Sequence, residues 1–106
     1  MLGSLQLAAE IDLTGVTVCP ACLLELAWKI RDGDKPSPGL ISRTTDWIWM
    51  ESGDAIKEAV QRARMEQRPF AEDALRDLEL NGWRGRFAEI VVLRLAHELA
   101  EGMASM

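Results

Sequence analysis

The sequence WRGRFAEIVVLRLAHELAE, residues 83–101, is the most apolar long segment of the chain. Its apolar side chains recur at the three- and four-residue intervals of an α-helix. They form a band of Phe87, Ile90, Val91, Leu95 and Leu99, widened by Val92, Leu93 and Ala96. A helix that is apolar on most sides is usually buried. We therefore expect the other segments of the chain to pack around this one.

A second helix is predicted nearer the N-terminus. It begins at Cys19-Pro20, because proline is favoured at the first helical position, where its missing N–H would have no intrahelical partner. Apolar residues then recur at helical spacing until Asp32-Gly33 ends the helix. Residues 4–11 give a weak helical pattern and residues 16–18 a short extended one. Two prolines and a glycine in residues 34–39 predict a loop.

The segment from residue 42 to residue 67 carries a stripe of apolar and small side chains at helical spacing, which predicts a helix. Thr44-Thr45-Asp46 are residue types that cap helices, and Gly53 is a weak point inside the predicted helix. Residues 47–50 taken alone suit a strand equally well, because tryptophan and isoleucine favour strands. A strand there is the alternative prediction.

Residues 70–80 are predicted to form a further helix, which lies between the breaks at Arg68-Pro69 and Asn81-Gly82. No strand pattern is strong enough to found a sheet. The predicted fold is therefore all-α, a compact bundle of four to five helices around a central apolar C-terminal helix. Because no long linker interrupts the 106 residues, we expect residues 1–106 to form a single helical domain.

Composition excludes several classes of protein. The chain is 48% hydrophobic and 27% charged, which is ordinary for a globular domain and argues against disorder. The N-terminus lacks the basic region of a secretory signal, and the longest apolar stretch, residues 87–96, is shorter than the ~20 residues of a membrane span. Two cysteines in such a chain fit a reducing compartment. We expect a cytoplasmic protein that does not bind membranes.

The charge of the chain indicates the kind of partner. Seventeen acidic residues against twelve basic ones give a formal net charge of -5. A negative protein repels the phosphates of nucleic acids and anionic lipids, so direct binding to nucleic acid is not expected. The expected partner is a protein with a basic surface.

Cys19-Pro-Ala-Cys22 is the most specific local motif, with two thiols about one turn apart at a helix start. A helix N-terminus favours the thiolate, which suits redox chemistry, but a thioredoxin-like site also needs a strand framework. A zinc site needs four ligands, so two chains would have to share one ion. Plain buried or half-buried thiols are the simpler interpretation. A zinc or thiol redox module remains the alternative function.

No catalytic arrangement is evident elsewhere in the sequence. His97 and Glu101 lie one helical turn apart, but such a pair needs a third partner for metal binding or acid–base catalysis. Four carboxylates cluster in the helix predicted over residues 70–80, with Arg76 among them, in a spacing typical of a solvated face. These carboxylates are Glu72, Asp73, Asp77 and Glu79. We predict that the protein is not an enzyme and has no cofactor and no metal.

Tryptophan and arginine contribute disproportionately to binding at protein interfaces. Trp83, Arg84 and Arg86 form one candidate contact site, although Trp83 can equally pack inward while the arginines cover the helix start. Trp47 and Trp49 cannot share one helix face, so one of them is expected to be exposed. The predicted partner-binding residues are Trp47, Trp49, Glu72, Asp73, Asp77, Trp83, Arg84 and Arg86.

In its small size, acidity and lack of a catalytic motif, the chain resembles small inhibitors that phages and mobile elements encode, such as anti-CRISPR proteins. The resemblance lies in bulk properties and matches no individual residue. It implies binding to a CRISPR effector or nuclease, with occlusion of DNA access or nuclease recruitment, in a host cytoplasm. Arg62, Arg64 and Arg68 interrupt any continuous negative track, so local occlusion fits better than DNA mimicry.

A helix-turn-helix regulator is a third hypothesis, suggested by the two helices that meet at Asn81-Gly82. Its recognition helix would have to be the segment 83–101. That segment is too apolar to lie in a DNA groove, so the physical chemistry argues against a regulator of this kind.

Overall fold

The computed structural model describes Leu13, Val18 and residues 20–104. Its helices are α1 (Pro20–Arg31), α2 (Pro38–Met65), α3 (Pro69–Asn81) and α4 (Arg86–Ala104), with a 3-10 turn at Gly82–Arg84. These described residues contain no strand, so the all-α prediction is confirmed. The helix predicted over residues 4–11 and most of the extended segment predicted over residues 16–18 lie outside the described residues.

The helix α1 begins and ends where the sequence predicts. Pro20 occupies the first helical position, and Gly33 ends the helix in the left-handed conformation, with a φ of 79°. The Gly33 N–H donates to the carbonyl of Ile30 at 3.1 Å, and the Asp34 N–H donates to the carbonyl of Lys29 at 3.0 Å. This pair of bonds is the Schellman motif, in which glycine at the left-handed position carries no steric penalty.

The start of α2 corrects the predicted loop over residues 34–39, because Pro38 and Gly39 already belong to the helix. Ser37 is the cap residue, and its hydroxyl accepts the Leu40 N–H at 3.2 Å. Proline at the first position needs no hydrogen-bond partner for its nitrogen. The pair Ser37-Pro38 is therefore a helix start, contrary to the prediction that it lies in a loop.

Thr44 and Thr45 are not caps, contrary to the prediction, because both lie inside α2 and are buried. Their hydroxyls donate to the carbonyls one turn earlier, at 2.8 Å to Leu40 and at 2.7 Å to Ile41. These bonds satisfy polar groups that would otherwise be costly to bury. The strand alternative for residues 47–50 is wrong, since α2 runs through them and through Gly53.

The C-terminal end of α2 repeats the motif that ends α1, but without glycine. Gln67 has a φ of 62°, its N–H donates to the carbonyl of Arg64 at 3.0 Å, and the Arg68 N–H donates to the carbonyl of Ala63 at 3.0 Å. A side chain at this left-handed position costs conformational energy. The predicted break at Arg68-Pro69 is confirmed, and Pro69 begins α3.

Gln67→Gly is expected to raise the free energy of unfolding by roughly 0.5–1 kcal/mol, because glycine adopts the left-handed conformation without strain. The matched control is Gly33→Ala, which introduces a side chain at the equivalent position of α1 and should lower it by a similar amount. Urea denaturation followed by circular dichroism measures both. A destabilised Gln67→Gly variant would contradict the argument.

The connection from α3 to α4 differs from the prediction, which began the last helix at Trp83. Asn81-Gly82 ends α3 as predicted, and Gly82 has a φ of 60°. Trp83 and Arg84 then form the 3-10 turn, and α4 begins only at Arg86. The residue that stops this turn from joining α4 is Gly85, which packs against α3.

One apolar face of each described helix contributes to the core. The helix α4 packs most extensively against α1 and also contacts α2, α3 and the 3-10 turn. Val91, Val92 and Ala96 of α4 are completely buried, whereas Leu95 and Leu99 are half-buried against the core. The largest fully buried side chains of the described residues are Leu26, Ile48, Ile56, Val60, Val91 and Val92.

Candidate functional site

The outer surface of the N-terminal half of α2 presents the most prominent exposed aromatic side chain of the described residues. Trp47 is 56% exposed, and Met50, one turn later, is 72% exposed. Trp49 is only 2% exposed, and its indole N–H donates to the carbonyl of Ala88 in α4 at 3.0 Å. The prediction that one of the two tryptophans is exposed is thus confirmed, and the exposed one is Trp47.

Carboxylates flank this apolar pair along α2. Between residues 46 and 54 the helix carries three acidic side chains and no basic one. Two of them, Glu51 and Asp54, are exposed, and the third, Asp46, is half-buried. We call the surface formed by Asp46, Trp47, Met50, Glu51 and Asp54 the acidic ridge.

A shallow groove borders the acidic ridge on the side of α1. It is lined by Ala21, Cys22, Glu25, Arg43, Thr44 and Trp47. The guanidinium of Arg43 lies 3.3 Å from the carboxylate of Glu25, an ion pair between exposed side chains that contributes little to stability. Glu25 therefore adds a carboxylate beside the one cation that lines this groove.

A second groove borders the ridge on the side of the 3-10 turn. Its lining includes Ser42, Thr45 and Asp46 of α2, Trp83 and Arg84 of the turn, and Glu89 of α4. Trp83 is exposed. The structure thus brings Trp83 and Arg84 close to the acidic ridge, which the sequence could not predict. Arg86, the first residue of α4, lines a separate depression with Glu89, Ile90 and Leu93.

The predicted acidic cluster of α3 has two parts. Glu72, Asp73 and Glu79 are exposed, and the carboxylate of Asp73 lies 3.9 Å from the guanidinium of Arg76. Asp77 is half-buried and has a structural role, because its carboxylate accepts the Phe87 N–H of α4 and the side-chain amide of Asn81, each at 2.9 Å. The exposed members lie on α3, whereas the exposed tryptophan lies on α2.

The cysteine motif is described only in part, since Cys19 lies outside the described residues. Cys22 is half-buried, and its sulfur lies 3.9 Å from the carboxylate of Glu51. Within residues 20–104, no three His, Cys, Asp or Glu side chains come close enough together to hold a metal ion. His97 is half-buried on α4.

Sequence reasoning missed two exposed apolar positions on α1, Leu24 and Trp28. Both fall off the helix face that Leu23, Leu26 and Ala27 bury, so their spacing was the signal that could have identified them. The guanidinium of Arg31 lies 4.8 Å from the centre of the Trp28 ring, a cation–π contact that covers part of the aromatic face. Trp28 is therefore partly covered within the chain itself.

In the part of the chain that the structure describes, no helix has both the length and the apolarity needed to cross a lipid bilayer. Comparison with known proteins found no match to this chain among protein-family models, curated proteins or solved structures.

Proposed function

We propose that this protein is an interaction module that uses the acidic ridge to bind a partner protein with a basic surface. The observation that carries the proposal is the exposure of Trp47 beside Met50, among three carboxylates of the same helix. An exposed tryptophan with an apolar neighbour is the type of residue that anchors an interface. The surrounding carboxylates favour partners with lysine or arginine around an apolar pocket, and they speed association.

The class of partner that we propose is a bacterial nucleic-acid-handling complex, such as a CRISPR effector or nuclease. Its channels for DNA and RNA are lined with basic residues, so a negative module can occupy their entrances. Small size and acidity support this function, as they do in anti-CRISPR proteins, which the chain resembles. The mode of inhibition that we propose is occlusion of DNA access or of nuclease recruitment, in the host cytoplasm.

The proposal requires a rigid support for the ridge, and we propose that α4 is the centre of the bundle that provides it. The helix α4 contacts each of the other three described helices, and it holds α2 through the indole of Trp49. Trp49 thus fixes the orientation of α2, whereas Trp47, two residues earlier, faces outward.

Trp47→Ala is expected to weaken binding to the partner by roughly 30-fold, since an aromatic hot spot contributes about 2 kcal/mol or more. The probes are purified CRISPR effector complexes and nucleases, with binding measured by biolayer interferometry at several salt concentrations and inhibition measured as DNA cleavage. Leu80→Ala is the matched control, because Leu80 is an exposed apolar residue of α3. It should leave binding unchanged.

Neither substitution should change the free energy of unfolding by more than about 0.5 kcal/mol, because both side chains are more than half exposed. Rising salt should weaken binding, as it does between opposite charges. A Trp47→Ala variant that binds and inhibits like the unsubstituted chain would contradict the proposal, as would a complete lack of binding across the panel at low salt.

A further inference from the structure

The acidic ridge is one end of a longer outward stripe on α2. Exposed residues recur at alternating intervals of four and three, and we call this set the outer stripe: Arg43, Trp47, Met50, Asp54, Lys57, Gln61 and Arg64. Alternating spacing of four and three keeps one line of side chains facing a neighbouring helix along its whole length. In this chain the stripe faces outward and no described helix covers it.

Charge is distributed unevenly along α2 and the residues that follow it. Residues 46–54 carry three carboxylates and no cation, whereas residues 57–68 carry four cations and two carboxylates. Met65, which is 84% exposed, lies among the cations of the second half, as Trp47 and Met50 lie among the carboxylates of the first. Each half therefore combines exposed apolar side chains with an excess of one sign of charge.

The two halves are complementary to each other when two copies of the helix lie antiparallel. We infer that a second copy of this chain covers the acidic ridge, with α2 packed antiparallel on α2 about a two-fold axis. One register places Asp54 of the first copy opposite Lys57 of the second copy. Because a two-fold interface repeats every contact, Lys57 of the first copy then faces Asp54 of the second copy. Two opposite-charge pairs then lie at the centre of the interface.

The same register pairs the apolar residues with suitable partners. Trp47 comes opposite Arg64 and next to Met65 of the second copy, where a guanidinium and a thioether both interact favourably with an indole ring. Met50 comes opposite Gln61. A parallel arrangement would instead place Asp54 against Asp54 and Lys57 against Lys57, and like charges directly opposed are repulsive. At the centre of the outer stripe, charge complementarity thus selects the antiparallel pair.

This inference rests on the proposed function, since it takes the acidic ridge to be a docking surface, and it adds a regulation of that surface. A chain in the dimer has its ridge covered, so only the monomer presents Trp47 to another protein. Partner binding and self-association therefore compete, and dilution favours the form that binds the partner.

Exchanging the charges of Asp54 and Lys57 tests the inference. The molecular mass of each variant is measured by sedimentation equilibrium over a wide range of chain concentration. The unsubstituted chain should form a dimer whose dissociation constant rises with salt. Asp54→Lys and Lys57→Asp should each raise the dissociation constant at least tenfold, because each turns two attractive contacts into repulsive ones. The double variant, D54K/K57D, should restore dimerisation, since both contacts are attractive again.

Both positions are exposed, so the variants should fold, and circular dichroism of each one verifies this. An unsubstituted chain that stays monomeric at every concentration would overturn the inference, as would single variants that dimerise equally well. If the chain is monomeric and binds an effector complex in a way that Trp47→Ala weakens, the proposed function is still supported. A different outcome is a chain that dimerises through Trp47, so that Trp47→Ala weakens the dimer, and that binds none of the effector complexes and nucleases. That result would support self-association and contradict the proposed function.

Discussion

Trp49→Ala is expected to lower the free energy of unfolding by about 3–5 kcal/mol, which is the usual cost of removing a buried large aromatic side chain. The ring is 2% exposed and packs in the core, so its removal leaves a cavity between α2 and α4. The indole also donates a buried hydrogen bond to the carbonyl of Ala88. Because small domains have a stability of only about 5–15 kcal/mol, this substitution removes a large part of it.

Two controls separate packing from hydrogen bonding in this prediction. Trp49→Phe keeps an aromatic ring but loses the N–H donor, and should cost roughly 1–2 kcal/mol. Trp47→Ala removes the same side chain two residues earlier, where it is 56% exposed, and should change stability within about 0.5 kcal/mol. Urea denaturation of the three variants measures these differences. Equal losses for Trp47→Ala and Trp49→Ala would contradict the assignment of roles.

The sequence predicted the type of the described helices better than it predicted where they begin. Helical periodicity identified all four, because each buries one face in the core and the spacing of that face is visible in the chain. Starts were less predictable, because proline and serine serve both in loops and at the first helical positions. Pro38 was therefore placed in a loop although it begins α2.

The candidate site was predictable only in part, for a different physical reason. Helix geometry alone requires Trp47 and Trp49 to face different directions, but it does not state which faces the core. The buried stripe of α2 continues from Trp49 at helical spacing and was the signal for that choice, but the partner of the indole N–H, the carbonyl of Ala88, is 39 residues away along the chain. The proximity of Trp83 to Asp46 likewise depends on how the 3-10 turn packs. Contacts between distant segments leave no periodic signal in the sequence.

The start of α4 depends on an interaction of that long-range kind. The Phe87 N–H is one of the first donors of the helix and has no intrahelical partner, and the carboxylate of Asp77 in α3 accepts it at 2.9 Å. Gly85, which precedes the helix, has no side-chain oxygen to act as a cap. Asp77 of α3 therefore caps α4, a role that a serine or aspartate at the cap position of the helix itself usually has.

Position 85 requires glycine because a side chain has no room there. Gly85 has a φ of −80°, which any residue adopts, so its backbone conformation does not demand glycine. A Cβ atom at this position would instead collide with the carboxylate of Asp77 and would lie 2.9 Å from the Cβ of Asn81. Asp77 cannot retreat from a methyl group there without lengthening its bond to Phe87.

Gly85→Ala is accordingly expected to lower the free energy of unfolding by roughly 2–4 kcal/mol, which combines the cost of overpacking with the loss of a helix cap. Gly102→Ala is the matched control in the same helix. A Cβ there meets no atom within 4 Å, and alanine favours helix, so that variant should be unchanged or slightly stabilised. Chemical denaturation of both variants measures the difference.

A double-mutant cycle with Asp77→Ala identifies the collision as the cause. Asp77→Ala alone should cost about 1–2 kcal/mol, because it removes the cap of α4. When Asp77 is already alanine, the added methyl group of Gly85→Ala no longer meets a carboxylate, and no cap remains to be lost. The double variant should therefore be more stable than the sum of the two single effects predicts. Strict additivity would show that Gly85 and Asp77 act independently, contrary to this account of how α3 fixes the start of α4.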